Sequence, residues 1–184
     1  MRRFIQSPYF FFGFVLLAGI AHYLILEYNG AGNAVEYFVQ NDSHGMKGAL
    51  SAGPLIFSFY ELIGHVFHSA TMTFNAGTAL LAGTLTYVLL KFASKLSSQP
   101  LPLILIGIWS IISPSVRYSL SHHPHLILGM VFFLLSFLSL KGKNYFLFVV
   151  FLVHLFFTHS ILALLSIVPV SLMLISRKKS VSWL

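Results

Sequence analysis

The chain has 184 residues, of which 57% are hydrophobic and only 8% charged, with 19 phenylalanines, a balance far outside that of soluble globular domains. Its net charge of +7 is carried by lysines and arginines scattered in twos and threes beside apolar runs. That pattern belongs to membrane anchoring and argues against a nucleic-acid-binding face. The lack of cysteine excludes a disulfide scaffold, a thiolate metal site and a Cys nucleophile.

The first apolar run, Pro8 to Leu26 behind Arg2 and Arg3, is too long for a signal-peptide core and has no A-x-A site after it, so it is expected to stay as a first span. A polar interval follows, from Glu27 to Gly48, and then Ala49 to Leu90 passes without a lysine or arginine. Further spans are expected at Leu101 to Val116, after the Pro100/Pro102 break, and at Leu126 to Leu140. The last apolar run, Tyr145 to Ile175, would measure roughly 45 Å as one helix against a hydrocarbon core of about 30 Å. It is expected to be two short helices, with the turn near Thr158-His159-Ser160. The expected fold is an all-α, polytopic membrane bundle: a single domain over 1–184 with about six transmembrane helices of roughly 20 residues and one or two interfacial helices.

Charge orders these elements. With a cytoplasmic N-terminus and one full span in Ala49 to Leu90, Arg2, Arg3, Lys91, Lys95, Lys141, Lys143 and the closing Arg177-Lys178-Lys179 all fall inside, as the positive-inside rule requires. The chain is then an integral protein of the inner (plasma) membrane with both termini cytoplasmic. Residues 27–72 form an outer loop carrying a surface helix over 54–69. On that helix Glu61, His65 and His68 stand at i, i+4 and i+7, on one face. They offer donors for a divalent metal ion, or form the wet face of an interfacial helix whose Phe57, Phe59, Ile63 and Phe67 meet lipid. The same topology puts all four acids on the outer side with Arg117, the His122 and His123 of "SHHPH", and His159. There is no H-E-x-x-H, G-x-S-x-G or P-loop.

The order of "GPLIFSFYELIGHVFHS", "FASKLSSQPLPLILIGIWSIISPSVRYS", "HHPHLILGMVFFLLSFLSLKGK" and a short-helix pair resembles the N-terminal transmembrane module of type C polytopic glycosyltransferases. These take sugar from a polyprenyl-phosphate donor, as in the protein mannosyltransferase and lipid A aminoarabinose transferase group. The resemblance covers most of the chain and rests on pattern and spacing. It implies a membrane glycosyltransferase in which an acid at the outer end of the first span is the catalytic base. Here that role falls to Glu27 in "LEYNG", with Glu36 as competitor, where the family prefers Asp. It further implies that Arg117 and His159 bind the lipid phosphate, that His122 and His123 lie on the substrate side, and that the polyprenyl-phosphate lipid is a partner besides the bilayer. Family members are much longer, which implies a minimal or partner-dependent enzyme beside a larger membrane protein. The histidines themselves leave a different reading open, a haem- or copper-binding small subunit of a respiratory or monooxygenase complex, and a third is a non-catalytic accessory subunit.

Overall fold

The computed structural model describes residues 7–29, 54–67, 69–97, 99–159, 161–167 and 170–171, and these are helical with short connections and no strand. Seven helices are bounded: α1 (Pro8–Asn29), α2 (Pro54–Gly64), α3 (Ala70–Leu96), α4 (Pro100–Ile112), α5 (Pro114–His122), α6 (Pro124–Lys141) and α7 (Tyr145–Thr158). Proline opens α1, α2, α4, α5 and α6, where its missing N–H is an orphan in any case and its fixed φ suits the first turn. The hairpin between α6 and α7 is made by local chemistry. Lys143 takes a left-handed φ of 60°, and Asn144 then accepts the Leu147 N–H at 3.1 Å as the cap of α7.

Among the described residues, α1, α3 and α6 are long and apolar enough to cross a membrane, and α4 with α5 makes a fourth if that bent pair is one span. Large apolar side chains such as Phe12, Leu16, Leu24, Leu105 and Phe146 stand exposed on the bundle, a surface that water does not tolerate and hydrocarbon does. The described residues thus form an all-helical bundle with three or four helices fit to span a membrane by length and composition.

α3 is its central element, packing against α1, α2, α4, α5 and α6. The larger core lies between α2, α3, α5 and α6, around Tyr60, Phe74, Leu85, Leu120 and Ile127. A smaller one joins α1, α3 and α4 through Phe10, Phe11, Leu90, Ala93 and Leu103. Glycines set the closest approaches. A Cβ on Gly83 would lie 3.2 Å from the Val15 carbonyl oxygen, and one on Gly19 would lie 3.3 Å from that of Ala79, so α1 and α3 meet nearly backbone to backbone.

Two expectations change in the structure. The run Leu101 to Val116 is broken at Ser113, with a 48° bend between α4 and α5, because Pro114 cannot donate to the ladder and disfavours helical backbone at the residue before it. Three of the four apolar residues expected to meet lipid on the 54–69 helix point the other way: Ile63 is buried, and Phe57 and Phe59 pack against the main core beside Ile56 and Tyr60. Phe67, the fourth, is exposed, together with Leu62 and Val66. The expected break near Thr158-His159-Ser160 stands, since α7 ends at Thr158 and helix resumes at residue 161.

Candidate functional site

The helices sort the polar side chains to two ends of the bundle. Near the C-terminus of α1, Glu27 accepts a hydrogen bond from Asn75 Nδ2 on the early turns of α3, at 3.0 Å. At the opposite end, Lys91 near the close of α3 sits over the ring of Phe11 near the start of α1, 5.0 Å from its centroid. The partners of α6 follow the same order: Lys141 Nζ donates to the Lys95 carbonyl at 2.7 Å, whereas His125, at the start of α6, stacks on His159 with centroids 5.9 Å apart. Lys91, Lys95, Lys141 and Lys143 thus share one end. Glu27, Arg117, His122, His123, His125 and His159 share the other. α2 joins that second end, because Tyr60 bonds Thr78 in the first half of α3 at 3.0 Å.

Between the ends a short polar ladder crosses three helices. The buried His22 on α1 donates from Nε2 to the Ser110 carbonyl on α4 at 3.2 Å. Ser110 Oγ donates to the Gly107 carbonyl at 2.8 Å and lies 3.0 Å from Thr86 Oγ1 on α3. These bonds satisfy groups that lipid cannot, and they tie α1, α3 and α4 together away from their ends.

Three buried side-chain atoms among the described residues have no hydrogen-bond partner: Asn75 Oδ1 on α3, Arg117 Nε on α5 and His125 Nδ1 on α6. All three belong to the histidine end. An orphaned buried polar atom costs on the order of 1–3 kcal/mol. They are an amide acceptor, a cationic donor and a ring nitrogen, each without a polar partner among the described residues.

The sequence-derived candidates fall as follows. Glu27 is exposed and held by Asn75. Arg117 donates from Nη2 to the Ile112 carbonyl at 3.1 Å, bracing the α4–α5 bend. His122 donates from Nδ1 to the Tyr118 carbonyl at 3.2 Å and stacks on the Tyr118 ring at 4.4 Å. His123 approaches the rings of Tyr118 and His125 edge-on, each at 5.8 Å. His159 Nδ1 accepts the Leu162 N–H at 3.3 Å, capping the helix that follows α7. Glu61 and His65 are exposed, the latter just past the end of α2. Glu36 and His68 lie outside the described residues. No group of three or more His, Asp or Glu side chains able to hold a metal ion occurs among the described residues.

Asn75, His125, Ser110 and Thr86 were not among the candidates. Asn75 had a usable signal, an amide inside an apolar run; the serine and threonine had none, since such hydroxyls normally bond their own helix. His154 does that too, donating from Nδ1 to the Val150 carbonyl at 2.7 Å. Comparison with family models, curated proteins and solved structures finds no match to this chain.

Proposed function

We propose that this chain is a plasma-membrane protein of about six spans, with both termini cytoplasmic, that handles a phosphate-bearing, lipid-linked substrate at its histidine end on the outer face. The chemistry proposed for it is glycosyl transfer from a polyprenyl phosphate. Arg117 is the observation that carries this reading: its Nε is buried without a partner, at the same end of the bundle as the Glu27 carboxylate. A phosphate leaving group needs a cation where negative charge develops, and an acceptor hydroxyl needs a carboxylate to take its proton.

In that step the acceptor oxygen bonds to the sugar's anomeric carbon, the bond from that carbon to the phosphate oxygen breaks, and the acceptor proton passes to Glu27. The electron pair leaves on the phosphate facing Arg117. Asn75 orients the carboxylate through its amide. His122, His123 and His159 line the phosphate side. Glu61 and His65 line the acceptor side, and a larger membrane protein completes the site.

The test is sugar transfer from a polyprenyl-phosphate donor to an outer-face acceptor in vesicles. Arg117→Ala and Glu27→Gln are each expected to reduce the rate by about 100-fold or more. Arg117→Lys, which keeps the charge and loses the forked geometry, should fall between. Intact transfer in both Arg117→Ala and Glu27→Gln would end the proposal.

A further inference from the structure

Along the outside of α1 and α3 runs an apolar groove of about 910 Å³, at the upper end of the ~300–1,000 Å³ usual for small-molecule sites. Its walls include Phe12, Leu16 and Ile20 on one helix and Ala76, Leu80 and Tyr87 on the other. The close backbone approach at Gly19 and Gly83 makes its floor, because side chains splay away from a glycine contact and leave a channel above it. Thr84 also lines it, with its hydroxyl spent on the Leu80 carbonyl at 2.8 Å. From Ala76 to Lys91 the groove follows about 22 Å of helix at 1.5 Å per residue, longer than the roughly 15 Å of one leaflet's hydrocarbon.

Lys91 is the single charged side chain among the described residues of the lining. It is not loose. Its Nζ rests 5.0 Å from the Phe11 centroid and 5.6 Å from that of Tyr87, a placement that fixes the ammonium at the groove's mouth. Lys95 stands one turn further along, and Lys141 reaches the Lys95 carbonyl. Both carboxylates among the described residues, Glu27 and Glu61, belong to the opposite end, so no described acid answers this positive charge. A chain-shaped apolar channel opening on an uncompensated lysine cluster complements a lipid with a negative headgroup.

We infer that the α1–α3 groove is a binding site for an anionic glycerophospholipid, with the headgroup on Lys91 and one acyl chain laid along the two helices. The headgroup position at Lys91 lies at the far end of the bundle from the proposed reaction, while the groove's other end, at Leu24 and Ala76, reaches the turns that carry Glu27 and Asn75; the inference does not rest on that reaction.

The test uses the full chain purified in an uncharged detergent, with phosphatidylglycerol and phosphatidylcholine compared by native mass spectrometry and thermal melting. Phosphatidylglycerol is expected to bind and raise the melting temperature, and phosphatidylcholine to do so at least ten-fold more weakly. Lys91→Gln should weaken phosphatidylglycerol binding about ten-fold, Lys91→Arg should retain it, and Lys143→Gln, away from the groove, should leave it unchanged. Ala76→Leu, which narrows the channel, should weaken binding while leaving the lysine in place. Equal binding of the two lipids, or an unaltered Lys91→Gln, would overturn the inference. So would disulfide crosslinking of two Leu16→Cys copies that excludes lipid, which would assign the groove to a second copy of the chain. Should Lys91→Gln fail to fold, the lipid preference of the wild type and the Ala76→Leu binding decide the matter.

Discussion

Asn75 spends one half of its amide on Glu27 and leaves the other half, Oδ1, buried without a donor. What that side chain holds is the carboxylate in the last turn of α1. Packing at single residues is just as particular. A Cβ on Gly77 would overlap the Tyr60 ring, and that ring is 2% exposed and stacked on Phe74, so it has nowhere to go. Gly77→Ala is expected to destabilise the protein by about 1–3 kcal/mol through overpacking. Gly13→Ala is expected to be neutral or mildly stabilising, since nothing lies within 4 Å of that position and alanine favours helix. Thermal melting of both variants in detergent checks the contrast. At this scale Glu27 was reached only through the family resemblance, and its pairing with Asn75 was not legible, because it depends on the relative rotation of two helices separated by a long connection.

Among the elements, the α4–α5 break is where local chemistry does most. Ser113 accepts the Val116 N–H at 3.4 Å as the cap of α5, and Arg117 takes up the Ile112 carbonyl left at the bend. Ser113→Ala should cost about 1 kcal/mol. In the same variant the Pro114 junction should become more open to exchange, so amide exchange over residues 112–117 is expected to rise. Hydropathy alone ran a span from Leu101 to Val116 because a proline inside an apolar stretch barely alters its average, and the bend follows instead from the missing N–H. α2 was misread for another reason. Both of its faces are rich in apolar residues, and in a bilayer lipid and core are equally apolar, so the periodicity that marks a buried face in water loses its meaning. Tyr60 and Ile56 went inward where shape and a hydroxyl partner on Thr78 were available.

For the whole molecule, the order of charges along the chain suggested a separation of lysines from histidines and acids, and among the described residues the helix pairings place Lys91, Lys95, Lys141 and Lys143 at the end opposite Glu27 and Glu61. A chain without native cysteine makes the proposed orientation straightforward to check. Single cysteines at Ser69 and Ser121 are expected to react with an impermeant maleimide added outside intact cells. Those at Ser97 and Lys143 should react only after permeabilisation. Reaction of all four from outside, or the reverse pattern, would remove the outer-face assignment and the proposed reaction with it. The number of spans was less legible, because α2, α4, α5 and α7 are each too short to cross alone, and whether short helices pair into one crossing depends on tertiary bends.

The position of α3 bears on how freely this sequence can drift. A residue on the outward side of α1 or α4 answers only to lipid, and many apolar side chains satisfy it. On α3 five neighbouring helices leave free chiefly the stripe through Leu80, Thr84 and Tyr87, so elsewhere on it an exchange that suits one neighbour disturbs another. Substitutions are therefore expected to cost more at its centre than at its rim.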